Sequence, residues 1–211
     1  MSSTAVMSEG HVLLRGVSWT TYEALSSEAG RGGTRFTYDR GDLEIMSPSE
    51  RHERLKTLLG RMIEILTFEL GIPIRSTGST TLRLEPTRQG LEPDESYYVT
   101  SEPLVRGRSE IRIPGDPPPD LAVEVEITAA WIDKRPIYSE LGIPEIWRHD
   151  GESLRVERLR PDGTYETAEK SGVFPFLPMR EVEGFLARCD ESDETTWLHG
   201  FRDWVRRTLR P

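Results

Sequence analysis

The sequence predicts an α/β domain, and three observations carry that prediction. Residues 50–70 form a long amphipathic helix, residues 121–127 alternate like a half-buried strand, and short strand-like segments flank both, separated by Gly- and Pro-rich turns. A chain of 211 residues suits one such domain with small additions. Hydrophobic residues at 36% and charged residues at 30% describe a water-soluble globular chain. No apolar run approaches the roughly 20 residues needed to span a bilayer.

In chain order, residues 1–16 are expected to be a flexible segment. A short helix follows from residue 18, opened by a Ser or Thr cap. Residues 36–46 read as a hairpin turning at Asp39, Arg40 and Gly41, and Ser47, Pro48 and Ser49 end it and launch the long helix. Leu55, Leu58, Leu59, Met62, Ile63, Leu66 and Leu70 recur at three- and four-residue spacing along that helix, and Gly71 and Pro73 stop it. Strands are expected at 72–77, 79–85 and 94–99, with a turn at 88–90 between the second and third. Residues 101–119, rich in Pro, Gly and charge, read as a loop. In 121–127, Leu121, Val123, Val125 and Ile127 share one face while Ala122, Glu124 and Glu126 share the other. A helix at 129–141, broken near Pro136, a strand from 145 to 149 and a hairpin at 153–159 and 164–168 follow. Two helical pieces around residues 190–194 complete the chain, as an extension (186–211) packed on a main domain of 17–185.

The net charge of −9 weighs against an extended duplex-binding surface, although a local basic patch is compatible with it. Arg75, Arg83 and Arg88, and Arg106, Arg108 and Arg112, cluster in sequence but read as solvated loops and strand edges. One cysteine, Cys189, excludes an intramolecular disulfide and a cysteine-based zinc site. Together with the lack of a basic start followed by an apolar stretch in residues 1–10, it leads to an expectation of a cytoplasmic protein without a membrane partner.

Two glutamates on one side of an apolar strand repel each other and lose hydration, and a divalent cation resolves both problems. The alternative is an edge strand whose wet face carries Glu124 and Glu126 into solvent. Two Pro-Asp pairs offer a partner carboxylate, at Asp94 and at Asp120. Asp120 lies four residues before Glu124, about 13 Å along an extended strand, which puts it at the far end. Asp94 is free to come from a neighbouring strand, so Asp94 with Glu124 is the better pair and Asp120 reads as a turn residue. Lys134 follows the strand, either directed back at a phosphate or exposed. His52 opens the long helix as a candidate ligand, base or phosphate contact, or as a structural residue near the cap. Glu44 stands before that helix and could complete the acidic cluster. Glu50 and Glu53 fit the ordinary preference of acids for a first helical turn. A glycine-rich phosphate loop and a Gly-x-Ser-x-Gly elbow are both absent from the sequence.

Four segments carry a resemblance. They are GDLEIMSPS at 41–49 followed by His52; LEPDESYYV at 91–99; PPPDLAVEVEIT at 117–128 followed by Asp133 and Lys134; and Ile137 and Tyr138 with LGIPEIWRHD at 141–150. In this order they resemble the Uma2 family, also called DUF820, a bacterial group of restriction-endonuclease-like proteins, over residues 17–185. The resemblance implies a restriction-endonuclease-like α/β fold of the PD-(D/E)xK kind, with a mixed central sheet flanked by helices. By the same resemblance Asp94 and Glu124 are the core acids, Lys134 the lysine of the following helix, His52 the histidine opening the long helix, Glu126 an acidic position found in part of the family, and Glu44 a looser match. The general nuclease pattern has lysine where this chain has Glu126, so Lys134 would replace it from the helix. The implied activity is cleavage of phosphodiester bonds in nucleic acid, with DNA the expected substrate. Mg²⁺ or Mn²⁺ would be held by Asp94 and Glu124, with Glu126, Glu44 or His52 completing the shell. A homodimer is the expected assembly. The competing reading is a catalytically weak member of the fold serving as an interaction domain.

Overall fold

In the computed structural model, which describes residues 10–29 and 33–210, two sheets meet along a seam. The first sheet has the order β1-β3-β2-β6-β5 and is antiparallel throughout. Its strands are β1 (Gly10–Leu14), β2 (Arg35–Asp39), β3 (Asp42–Ser47), β5 (Leu82–Leu84) and β6 (Gln89–Leu91). The second sheet has the order β11-β10-β9-β8-β7-β4. It holds β4 (Arg75–Ser76), β7 (Glu95–Tyr98), β8 (Leu121–Val125), β9 (Glu145–His149), β10 (Leu154–Leu159) and β11 (Tyr165–Ala168). Only its β8–β9 pair is parallel, which makes it the mixed sheet. The helices are α1 (Trp19–Ala29), α2 (Glu50–Leu70), α3 (Glu102–Val105), α4 (Arg135–Leu141), α5 (Met179–Ala187) and α6 (Glu194–Thr208). The architecture is the expected restriction-endonuclease-like α/β fold.

Helix α2 forms for the reasons its sequence gives. The Ser49 hydroxyl accepts the His52 N–H at 3.2 Å, and Gly71 closes the far end in the left-handed conformation (φ 65°). Its apolar stripe packs on Leu121, Val123 and Val125, the face of β8 assigned by alternation. Gly60, unfavourable inside a helix by roughly 1 kcal/mol relative to Ala, marks close approach to the sheet. A Cβ there would lie 3.2 Å from the Tyr97 hydroxyl of β7. This contact brings the middle of α2 close to β7.

Several expectations need correction. Gly10–Leu14, inside the segment expected to be flexible, pairs in register with β3; residues 1–9 lie outside the described residues. The turn expected at 88–90 is confined to Arg88 (φ 53°), and Gln89–Leu91 forms β6. Strand β8 ends at Val125 instead of 127. Helix α4 begins only at Arg135. The N–H groups of Trp131 and Ile132 are taken by Glu44 at 3.0 and 2.9 Å, so the preceding segment has another hydrogen-bond partner, and Pro136 suits a first helical turn. The loop at 101–119 holds the short α3.

The last two helices pack on α2. Trp197, Phe201 and Val205 are buried in the main core, Trp204 packs against it, and Arg206 and Arg210 pair with Glu69 of α2. The aromatic residues of the tail therefore pack on the body of the chain. No helix among the described residues is long and apolar enough to cross a membrane.

At the end of β9, His149 is buried and its Nδ1 accepts the Gly151 N–H at 3.0 Å, a bond only the neutral ring can accept. Burial, aided by Arg51, lowers its pKa, against the opposing charges of Asp150 and Glu183. A depressed folded-state pKa means that this contribution is fully present above the unfolded value of about 6.5 and is lost as pH falls toward the folded value. Urea unfolding at pH 7.5 and 5.5 is expected to show less acid destabilisation for His149→Asn than for the wild type. An equal loss in both would remove His149 as the sensor.

Candidate active site

The chain crosses from the first sheet to the second at Glu92, Pro93 and Asp94, and this crossing builds the site. Glu92 still belongs to the first sheet: its N–H donates to the Phe36 carbonyl at 3.2 Å, and its carboxylate accepts the Phe36 N–H. Asp94 already belongs to the second, with its N–H on the Val123 carbonyl at 3.2 Å. Pro93 sits between them and has no N–H to satisfy.

Asp94 is buried. Its Oδ2 accepts the Val125 N–H at 2.8 Å, and its Oδ1 lies 2.9 Å from His52 Nε2. Burial acts to raise the Asp94 pKa, but the hydrogen bond and charge of His52, the Lys134 charge and the Val125 N–H together hold it below the usual carboxylate range. An ionised carboxylate only accepts, so His52 donates through Nε2–H.

Glu124 is fully buried on the neighbouring strand. Lys134 donates to Glu124 Oε2 at 2.7 Å, and the Tyr138 hydroxyl donates to Oε1. Burial pushes Glu124 above the usual glutamate range, and the Asp94 charge adds to this while Lys134 opposes it. At Lys134 burial favours the neutral amine, but Glu124 and Asp94 outweigh it and raise its pKa, so the ammonium persists. Tyr138 is held well above its ordinary value by burial and by Glu124, and so remains a phenol donor.

The structure brings Asp94, Glu124, Lys134 and His52 together and treats the two other acids differently. Glu126 lies just past β8, partly exposed, and pairs with Arg148, whose Nε is also 3.5 Å from Glu157. Glu44 is buried, with His11 Nδ1 at 2.7 Å and the Trp131 and Ile132 N–H groups on its two oxygens, so it ties the 131–132 segment to β3. Asp120 is the turn residue expected, accepting the Val99 and Ser101 N–H groups at 2.7 and 2.8 Å. Arg106 and Arg108 are paired with Glu102 and Asp116, and Arg112 with Glu110. Glu50 and Glu53 lie in the first turn of α2.

Two residues of the cluster escaped the sequence reading. Tyr138 lies four positions after Lys134, the spacing that puts two side chains on one helix face, and that signal could have found it. Arg35, the first residue of β2, lies with its Nε 3.6 Å from Asp94 Oδ1.

Among the described residues, no group of three or more His, Cys, Asp or Glu side chains has the arrangement of a metal site. The donor chemistry of the pair nevertheless suits a hard cation. Two carboxylates on adjacent strands interact through their charges, and each has lone pairs beyond its present bonds. The Lys134 ammonium supplies the positive charge at Glu124.

A mixed sheet and an antiparallel sheet flanked by helices make a restriction-endonuclease-like architecture. The Uma2 family model, described as "Putative restriction endonuclease", matches residues 19–186, and the chain belongs to this family. No curated protein matches it. Among solved structures it is similar to one described as "a putative nuclease belonging to DUF820" from Anabaena variabilis ATCC 29413, with 13% identity and a TM-score of 0.45 over 72% of this chain and 90% of that one.

Proposed function

We propose that this protein is a metal-dependent nuclease that hydrolyses phosphodiester bonds of nucleic acid, with DNA the expected substrate. The observation that supports this reading best is the buried pair of Asp94, just before β7, and Glu124 on β8, with the Lys134 ammonium on Glu124. Asp94 and Glu124 would hold Mg²⁺ or Mn²⁺, while Glu126 and Glu44 are engaged by Arg148 and by the 131–132 backbone. A divalent ion bound there supplies a water of lowered pKa and stabilises charge on the transferring phosphoryl group.

The chain's own residues do the remaining work. His52 and the Val125 N–H keep Asp94 ionised and fix its orientation. Tyr138 holds one oxygen of Glu124, leaving the other for the Lys134 ammonium. That ammonium is mobile on a four-carbon stem and can move from Glu124 to a phosphate oxygen of the substrate.

A second reading has its own observation. Asp94 and Glu124 are 1% and 0% exposed, and each already has a basic partner in His52 and Lys134. This closed arrangement suits a catalytically weak member of the fold acting as an interaction domain. One experiment separates the two. Wild type and Asp94→Asn are incubated with duplex DNA, single-stranded DNA and RNA in Mg²⁺ or Mn²⁺. The nuclease reading expects divalent-dependent cleavage by the wild type and its loss in the variant. Equal cleavage by both would remove Asp94 from the chemistry, and no cleavage of any substrate would favour the interaction domain.

A further inference from the structure

Beside the acid pair lies a small cavity of about 20 Å³ whose lining includes Arg35, Lys134, Glu44, Glu126 and Thr128. This is room for roughly one oxygen atom, since a single water needs about 10–15 Å³ by this kind of measure. The hydrogen bonds of the lining show what kind of atom suits it. Its acids already have donors: Glu44 receives two backbone N–H groups, and Glu126 receives Arg148.

Arg35 is the opposite case. It is 8% exposed, and its Nε–H is buried without a hydrogen-bond acceptor among the described residues. Its remaining contacts are long: Nη1 to the Gly33 carbonyl at 3.3 Å, Nη2 to Glu53 at 3.4 Å, and Nε to Asp94 at 3.6 Å, the last beyond hydrogen-bond range. A guanidinium keeps its charge in proteins, and leaving one of its donors buried and unmet is unfavourable. The lining thus has an unsatisfied donor on a cation, with the Lys134 ammonium as a second cation beside it.

We infer that Arg35 is an anion-binding residue of this site, which with Lys134 receives a phosphate oxygen at the cavity. The inference deepens the nuclease reading and rests on it for the identity of the substrate, since the oxygen would belong to the phosphate next to the acid pair. Thr128, an exposed residue, is part of the cavity lining. Arginine suits this role better than lysine because its planar fork can keep Glu53 on one nitrogen while offering another to the phosphate.

The test uses inorganic phosphate as the probe and thermal unfolding as the readout, against sodium chloride at matched ionic strength. Phosphate a few-fold above its Kd is expected to raise the wild-type Tm by roughly 2–4 °C. In Arg35→Met the shift is expected to vanish, whatever the Tm of the variant without phosphate. A purely structural role would lower that starting Tm and leave the shift intact, which would overturn the inference. A wild type whose Tm does not respond to phosphate would overturn it equally. If Arg35→Met does not fold, Arg35→Gln, which keeps a donor toward Glu53, is read in the same way. Cleavage of DNA by the wild type is scored separately. An Arg35-dependent phosphate shift without cleavage would defeat the nuclease reading and leave the anion site standing.

Discussion

Replacing Glu124 is expected to produce the largest effect of any single substitution, and the replacement chosen decides which effect is seen. In Glu124→Ala the Lys134 ammonium and the Tyr138 hydroxyl lose their shared acceptor in a closed site. Removing one member of a buried ion pair destabilises by about 3–5 kcal/mol, because the other charge is left uncompensated. An alanine variant without activity would therefore be ambiguous between lost chemistry and lost folding. Glu124→Gln keeps an oxygen for one of the two donors and nearly the same volume, so it is expected to stay folded. Its divalent-dependent cleavage is expected to fall by a factor of at least about 10², the scale of removing one transition-state electrostatic partner. Urea unfolding and a cleavage assay on both variants check this. A Gln variant that cleaves like the wild type would take Glu124 out of the site.

Lys134→Met is expected to separate turnover from metal affinity. The methionine matches the stem of the lysine and removes its charge, leaving Glu124 buried beside Asp94 without its main counter-charge. The loss is partly absorbed, since Glu124 can take up a proton. Its folded-state pKa, already raised by burial, rises further. A carboxylate with a raised folded pKa contributes stability below its unfolded value of about 4.3 that is lost as pH rises through the folded value. The variant is therefore expected to be most stable relative to the wild type in acid and least stable at neutral pH. Mn²⁺ affinity is expected to fall less than turnover, because the ammonium no longer competes for Glu124 Oε2 although a proton now does. Cleavage is expected to drop by about 10²–10³-fold. An unchanged rate would mean that Lys134 is only a counter-ion.

The sequence was most readable where one element decides the outcome alone. Helix α2 follows from its own stripe, its Ser49 cap and Gly71, and the two faces of β8 follow from alternation. Separation from Glu124 along the chain favoured Asp94 over Asp120, and in the structure Asp94 accepts the Val125 N–H while Asp120 accepts the Val99 N–H beside the start of the strand. What stayed hidden depends on contacts between distant segments. The start of α4 is set by Glu44, about 90 residues earlier, taking the N–H groups of Trp131 and Ile132. Glu44 looked like a metal-site acid because a buried carboxylate on a strand gives no sign, in sequence, of which donors will reach it. Strand β6 was hidden because Arg88, Gln89 and Gly90 carry turn chemistry, and only pairing with β2 and β5 makes the last two extended. Arg35 was missed for the same reason, since its place beside Asp94 comes from the chain crossing between sheets at Pro93.

If Asp94 and Glu124 form one divalent-cation centre, calorimetric titration of Mn²⁺ and Mg²⁺ will show saturable binding by the wild type, heat that disappears in the folded Glu124→Gln variant, and weaker binding by Asp94→Asn. Binding of equal affinity and stoichiometry in the wild type and Glu124→Gln would contradict it.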